Sequence, residues 1–354
     1  MHAVELAPQP RLHATALPAW CYTDAAIPAR ERAQVFDRGW QLVAHACRLR
    51  EPGDHVVADL AGLPVLAVRG DDGAIRVLHN VCRHRAGPLA ECDGRGARSL
   101  RCRYHGWTYG LDGVLRSAPE MAAAEGFVVD DVRLPRLQVQ VWQGLVFACA
   151  GDPAAPFDAL VDGIAARLGP DHPLERYGGH RPVAYEAACN WKVYVDNYLE
   201  GYHVPHVHPA LNRMLDYRGY RTTLSRWHSL QSSALESGGD GPWADGEALY
   251  WWLWPNTMLN VLPGRLQTNR VVPLGIDRCR IEFDTYYPVG GDAADAGADA
   301  DFSDLVQHED LDICAAVQRG LGSGSYLPGR LNPLREDGVW HFQELWREAM
   351  RAER

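Results

Sequence analysis

Between Gln41 and Ala150 the chain runs in short apolar or alternating stretches broken by turn residues. His55-Val-Val-Ala-Asp-Leu60, Pro64-Val-Leu-Ala-Val-Arg69, Ile75-Arg-Val-Leu-His79, Gln138-Val-Gln-Val-Trp142 and Gly144-Leu-Val-Phe147 have the length and residue types of strands. Gly53-Asp54, Asp71-Asp72-Gly73 and Asp112-Gly113 supply turns between them. The pattern predicts a small all-β domain over residues 38–150. The Pro-rich stretch Gly151-Asp-Pro-Ala-Ala-Pro156 is the expected boundary with a second domain, residues 151–354. Residues 1–37, with a helix predicted over Ala29–Arg38, are expected to pack on that second domain.

Past the boundary the period lengthens. Along Asn190–His208, at 100° per residue, Trp191, Tyr194, Val195, Tyr198 and Tyr202 share one stripe, which is expected to face a core. Asp196, Asn197, Glu200 and His203 fall on the opposite side. Pro205 is expected to end this helix and let His208 turn back toward His203. Leu249–Leu262 and Cys279–Tyr287 read as strands, being rich in β-branched and aromatic residues. Asp310–Gly320 and Val339–Ala352 read as helices, and the Ala/Asp/Gly stretch Gly290–Asp304 as an exposed, mobile loop. The second domain is therefore predicted to be α+β.

Bulk properties narrow the choices. The chain has 354 residues, 47% hydrophobic and 23% charged, enough for two ordinary soluble domains. Its formal charge of −10 argues against a general nucleic-acid binder. No apolar run approaches the roughly 20 residues needed to cross a bilayer, and Met1–Pro10 holds His2, Glu5 and two prolines, unlike a signal peptide. Cys21, Cys47, Cys92, Cys149, Cys189, Cys279 and Cys314 are scattered as free thiols would be. A cytoplasmic, reducing setting is the expectation.

Two motifs carry chemistry. In Cys82-Arg-His84 and Cys102-Arg-Tyr-His105, each half holds one thiol and one imidazole, and 17 residues separate His84 from Cys102. Two thiolates and two imidazoles form the ligand set of a Rieske [2Fe–2S] cluster, in which two histidines replace two cysteines on one iron. A Cys₂His₂ zinc site uses the same ligand types but usually pairs Cys with Cys and His with His. The flanks, Cys82-Arg-His-Arg-Ala-Gly-Pro-Leu89 and Cys102-Arg-Tyr-His-Gly-Trp-Thr-Tyr109, resemble the cluster-binding loops of Rieske ring-hydroxylating oxygenases. Gly87, Pro88 and Gly106 suit the tight loops such a cluster needs.

Downstream, His203 and His208 with one carboxylate would make the two-histidine, one-carboxylate triad of mononuclear non-haem Fe(II) enzymes, with coordination positions left open. The carboxylate is assigned to Asp310 in Gln307-His-Glu-Asp-Leu-Asp312, with Asp312 and Glu309 as alternatives. Rieske loops, then His203-X₄-His208, then an Asp ahead of Val317-Gln-Arg-Gly-Leu321, resemble α subunits of Rieske non-haem iron oxygenases from about Trp40 to the C-terminus. The resemblance implies a helix-grip catalytic domain, an antiparallel sheet curved around a long helix. It also implies a homotrimer in which electrons pass from the cluster of one subunit to the iron of the next. In that family a carboxylate three residues before the first iron-ligand histidine bridges the two centres. Glu200 holds that position, and its expected partner on the adjacent subunit is His105 or His84. Glu there, where most ring dihydroxylating members have Asp, is typical of the branch that resembles choline, carnitine and glycine-betaine oxygenases.

Tyr250-Trp-Trp-Leu-Trp254 concentrates aromatics. On one strand Tyr250, Trp252 and Trp254 would share a face. Trp252 and Trp254 are candidate substrate contacts, since an aromatic wall holds a quaternary ammonium by cation–π attraction; aromatics also fill ordinary cores. Trp254-Pro-Asn-Thr-Met-Leu-Asn-Val261, Leu266–Gly275 and Gln318–Tyr326 are similar to the choline-monooxygenase-like branch. That resemblance implies a terminal oxygenase that uses O₂ to hydroxylate a small quaternary ammonium or betaine compound, by monooxygenation or oxidative N-demethylation. With no dinucleotide or flavin fingerprint in the chain, the electrons are expected from an NAD(P)H-dependent flavin/iron–sulfur reductase. Two alternatives are an aromatic-ring hydroxylating dioxygenase and a non-catalytic Rieske ferredoxin-type carrier; the latter leaves His203, His208 and Asp310 unexplained.

Overall fold

The computed structural model describes residues 6–170, 172–235, 246–288 and 295–351. The chain divides into two units, Phe36–Ala154 and the combination of Met1–Val35 with Ala155–Arg354. Among the described residues no helix is long and apolar enough to cross a membrane.

The unit Phe36–Ala154 consists of three small antiparallel sheets. One pairs Gln41–His45 with Leu145–Cys149 and then Gln138–Trp142; a second is the meander His55–Leu60, Leu63–Arg69, Ile75–His79; the third joins Leu100–Arg101, Thr108–Tyr109 and Leu115–Ser117. Two hairpins close on two-residue turns, Ala61-Gly62 (φ 52° and 87°) between paired Leu60 and Leu63, and Gln143-Gly144 (φ 51° and 80°) between paired Trp142 and Leu145. Positive φ at both positions matches the twist of the flanking strands, which is why glycine holds the second place. The strand Leu63–Arg69 is buried on both faces. Val65 and Ala67 join a core with Val43, Val56 and Val146, whereas Leu66 and Val68 join a second core with Cys82, Cys102, Trp107 and Tyr109. The period of two thus sends alternate side chains toward and away from the cluster loops.

The other unit is built on a seven-stranded antiparallel sheet. Its spatial order is Tyr177–Ala187, Cys279–Pro288, Arg265–Pro273, Thr257–Leu262, Gly246–Leu253, His228–Leu235, Arg221–Leu224. Six consecutive strands form a meander, and the earliest strand adds beside the last. The helix Trp191–Tyr198 follows directly; the Asn190 side chain caps it by accepting from the Lys192 N–H at 3.0 Å. Trp191, Tyr194 and Val195 are buried, as the helical stripe requires. The N-terminal segment is tied in through buried Glu31, whose carboxylate accepts from Lys192 Nζ (2.6 Å), Trp191 Nε1 (2.8 Å) and Trp346 Nε1 (2.7 Å). A buried lysine is tolerable only with such pairing.

Four expectations need correction. The helix stops at Tyr198 instead of reaching His203, because the Glu200 carboxylate accepts the N–H groups of Tyr202 and His203 and closes a turn; Tyr202, 45% exposed, leaves the buried stripe. Pro205 ends no helix; it lies in the first turn of the short helix Val204–Val207, where its missing N–H costs nothing. Leu249–Leu262 is a hairpin turning at Trp254-Pro255-Asn256, with Leu253 paired to Thr257. Finally, Asp295–Gly322 is one 28-residue helix, so Asp295–Asp304 is not a loop, while residues 290–294 of the expected loop lie outside the described residues. Alanine-rich sequence favours helix, and tertiary partners decide it: Asp299 is buried against Arg265, and Ser303 Oγ meets Gln267.

Candidate metal centres

The two cluster loops repeat one design. Cys82 N–H donates to Gly87 O (2.8 Å) and Ala86 N–H to Cys82 O (3.0 Å); Cys102 N–H donates to Trp107 O (2.9 Å) and Gly106 N–H to Cys102 O (3.0 Å). The fifth residue of each loop, Ala86 (φ 58°) or Gly106 (φ 73°), takes the left-handed conformation that closes it. Gly87 is needed for space instead: a Cβ there would lie 2.8 Å from Cys102 Sγ. The structure brings the four predicted residues together, with both thiols buried and the His84 and His105 ring centroids 4.6 Å apart. His84 also stacks on Trp107, at 4.7 Å and 7°.

His84 Nδ1 is buried and has no hydrogen-bond partner among the described residues. Such an atom is costly unless something fills the place, and a ligated iron would. Tyr109, the last residue of the second motif, has a role that its place in the sequence does not reveal. Its hydroxyl lies 3.3 Å from Cys82 Sγ and accepts the Arg83 N–H at 3.1 Å. Burial and the neighbouring thiol push the phenol pKa up, keeping it protonated as a donor toward sulfur. Hydrogen bonds to cluster sulfurs are a lever on reduction potential.

The second centre is assembled from distant segments. His203 ends the turn after the Trp191–Tyr198 helix, His208 ends Val204–Val207, and Asp310 comes from the long helix. One ligand atom from each lies within 4.8 Å of the others. His208 Nε2 is 3.0 Å and His203 Nε2 is 3.7 Å from Asp310 Oδ1. Each histidine is held from behind by a carboxylate: His203 Nδ1 by Glu200 Oε1 (2.6 Å) and His208 Nδ1 by Glu309 Oε2 (2.7 Å). With both Nδ1 atoms engaged from behind, both Nε2 atoms face Asp310, the orientation usual for metal-binding histidines. Asn197 Nδ2 donates to Asp310 Oδ1 at 2.6 Å. Burial opposes the charged form of His208, but Asp310 and Glu309 outweigh it and raise its pKa, marking a place where positive charge is welcome. Of the alternative ligands, Glu309 points its oxygen at the far nitrogen of His208 and Asp312 is exposed.

A cavity of about 130 Å³ opens on this triad and is lined by Tyr198, Tyr220, Tyr250, Phe283 and Phe302 among others. Trp252 and Trp254 do not line it. They are buried against each other and Phe342 of the C-terminal helix Asp337–Arg351, and the Trp252 indole donates to Pro255 O. The strand Gly246–Leu253 ends before Trp254, which lies in the turn to Thr257. Tyr250 is the member of that aromatic run on the cavity wall.

Comparison with known proteins gives the same division. Residues 39–138 match the Rieske [2Fe-2S] domain family, and residues 174–352 match the ring hydroxylating alpha subunit (catalytic domain) family. The chain is 36% identical to the chloroplastic choline monooxygenase of Arabidopsis thaliana, over 94% of this chain and 82% of that one. The chain belongs to the Rieske non-haem iron oxygenases. It binds a [2Fe–2S] cluster and a mononuclear iron, and is an oxidoreductase. This Rieske oxygenase is also 30% identical to the carnitine monooxygenase oxygenase subunit of Escherichia coli (strain K12), over 93% and 92% of the two chains. The crystal structure of the quaternary ammonium Rieske monooxygenase CntA in complex with L-carnitine superposes with a TM-score of 0.86 at 27% identity, covering 98% of this chain and 100% of that one.

Proposed function

We propose that this oxygenase hydroxylates a small quaternary ammonium compound, with His203, His208 and Asp310 holding the mononuclear iron and Cys82, His84, Cys102 and His105 the cluster. The observation that carries the reading is the aromatic wall beside the triad. Tyr198, Tyr220, Tyr250, Phe283 and Phe302 line the cavity, and its acids, Glu200 and Asp310, belong to the metal centre. Aromatic rings with nearby carboxylate charge suit a cation that carries no hydrogen-bond donor. The named relatives act on choline and carnitine, in keeping with this. When bound, the iron supplies O₂ activation and the cluster supplies electrons singly.

The chain's own groups position these parts. Asn197 and Glu309 fix Asp310 and His208, and the cavity would place a bound methyl or methylene carbon beside the residues that would hold the iron. Oxidation at an N-methyl group would give a carbinolamine that collapses to formaldehyde and the demethylated amine. Electrons would come from an NAD(P)H-dependent flavin/iron–sulfur reductase, and the oxygenase would work as a homotrimer. Glu200, already on His203 Nδ1, would accept from a cluster histidine of the neighbouring subunit through its remaining lone pairs.

Purified enzyme supplemented with a compatible reductase should consume O₂ with quaternary ammonium compounds and leave aromatic acids untouched; the opposite preference would overturn the reading. Iron analysis should return three irons per chain, two for the cluster and one for the triad. Glu200→Gln should keep both centres yet slow oxidation of the reduced cluster in single turnover by tenfold or more. Wild-type cluster oxidation in that variant would remove Glu200 from the electron path.

A further inference from the structure

Three cysteines outside the cluster motifs meet in one place. Cys189 follows the strand Tyr177–Ala187 and precedes Asn190, the cap of the helix Trp191–Tyr198. Cys279 opens the strand Cys279–Pro288, and Cys314 lies on the long helix one turn beyond Asp310. All three are buried free thiols. Cys279 and Cys314 both hydrogen-bond to Cys189 Sγ, which also accepts the Tyr194 N–H of the helix that follows it. The backbone holds the same three segments together. Ala187 pairs with Cys279 across the sheet, Asn190 N–H donates to Gln318 Oε1 (2.9 Å) one turn beyond Cys314, and Asn190 Nδ2 donates to Ile276 O (2.7 Å). The thiols do not close into a metal cage: among the described residues, the group of three ligand atoms within 4.8 Å of one another is His203, His208 and Asp310.

We propose that peroxide closes a reversible disulfide between Cys189 and Cys314, and that this bond switches turnover off by drawing the Asp310 turn of the long helix out of place. Cys189 is the nucleophile. The hydrogen bonds from Cys279 and Cys314 outweigh burial and lower its pKa, while the two donors are pushed up. A thiol at a helix N-terminus is favoured as thiolate in the same direction. Cys314 is the partner because it lines a second cavity, of about 520 Å³, which also borders Asn197, Glu200 and His203 and which Cys279 does not line.

The co-reactant is hydrogen peroxide, which O₂ and two electrons give when no substrate is oxidised. The Cys189 thiolate attacks one peroxide oxygen; the O–O bond breaks, the sulfur becomes a sulfenic acid, and hydroxide leaves and is protonated to water. Cys314 sulfur then attacks Cys189 sulfur. The S–S bond forms, the S–O bond breaks, and a second water leaves with the Cys314 proton. Two thiols and one peroxide thus give one disulfide and two waters. A disulfide holds its sulfurs about 2 Å apart, closer than any hydrogen bond between thiols, so closing it pulls the Cys314 turn toward Cys189. Asp310 sits on the adjacent turn of that helix, and Asn197, on the helix that Cys189 precedes, donates to it at 2.6 Å. A misplacement of about 1 Å near a reacting centre can cost roughly 100-fold in rate. The effect on turnover rests on the assignment of Asp310 to the iron; formation of the disulfide does not.

The test treats holoenzyme with a slight excess of hydrogen peroxide, blocks free thiols with N-ethylmaleimide in denaturant, and maps the digest by mass spectrometry. Peptides joined through Cys189 and Cys314 should appear. Reductase-coupled O₂ uptake should fall about tenfold or more, and dithiothreitol should reverse both changes while cluster absorbance stays constant. Absence of that peptide, or a Cys189–Cys279 peptide in its place, would overturn the assignment. Cross-linked enzyme with undiminished O₂ uptake, or a loss that follows bleaching of the cluster, would overturn the switch. Cys314→Ser and Cys314→Ala should keep their O₂ uptake through the same treatment; inactivation equal to that of the wild type would count against the proposal, and the wild-type peptide map decides the matter even if neither variant folds. Retention of the third iron by Asp310→Ala would instead remove that residue from the metal site and leave the disulfide standing, so the two failures are told apart.

Discussion

The two metal centres of this chain are built in opposite ways. The residues proposed to hold the cluster come from two loops within residues 82–105, each closed by its own backbone hydrogen bonds. The proposed triad joins His203 and His208 to Asp310, more than a hundred residues further on, and depends on how a 28-residue helix lies against a short one. A local centre needs only its loops to be right. A dispersed one needs the register of a whole helix, and Glu200 and Glu309 behind the histidines hold the geometry that the backbone alone does not.

The sharpest way to break this contrast is to delete one centre at a time. Cys102→Ser should abolish the visible absorption of the cluster and all turnover while leaving about one iron per chain. Asp310→Ala should do the reverse, keeping the cluster spectrum and losing the third iron. If either variant lost both centres, the two sites would be coupled in folding and the contrast would be wrong.

A smaller effect is expected at Glu309. Glu309→Gln keeps an acceptor for His208 Nδ1 but loses the charge, and removing such an outer partner usually costs 10–100-fold in metal affinity. Glu309→Ala should lie at the weaker-binding end of that range. Chelator competition for ferrous ion would measure both. Wild-type affinity in the alanine variant would mean that His208 is held by packing alone.

The same contrast explains what could be read in advance. The strands His55–Leu60, Ile75–His79 and Gln138–Trp142 lie where their residue pattern puts them, because short strands between strong turn residues are set locally. The four residues proposed as cluster ligands likewise fall in two compact motifs. The helix over Asp295–Asp304 was not, since its Ala/Asp run lacks an apolar stripe and is held by Arg265 and Gln267 from the sheet. Nor could sequence separate Asp310 from Glu309: neighbours on a helix point 100° apart, and only the fold shows which one faces the triad. Composition points Trp252 and Trp254 toward substrate, but both pack on Phe342 of the C-terminal helix as core.

The smallest predicted effect concerns a histidine with no part in either centre. His341, on the C-terminal helix, is buried, and burial outweighs its contact with Arg226 O to push its pKa down to about 4. In the unfolded chain it would titrate near 6.5, so between pH 6.5 and 4 the unfolded state binds a proton that the folded state refuses. Stability must therefore fall as pH drops through that window, by at most about 3 kcal/mol from this group. His208 carries the opposite sign, since its pKa is raised, and it should be taken out of the comparison by loading the protein with iron. Urea midpoints measured from pH 7 to pH 4 should then decline less in His341→Gln, which can still donate to Arg226 O, than in the wild type. Cluster absorbance, followed in the same samples, would report on the local centre, which has no stake in His341. Parallel stability profiles for the two proteins would mean that His341 already finds room for its proton in the fold.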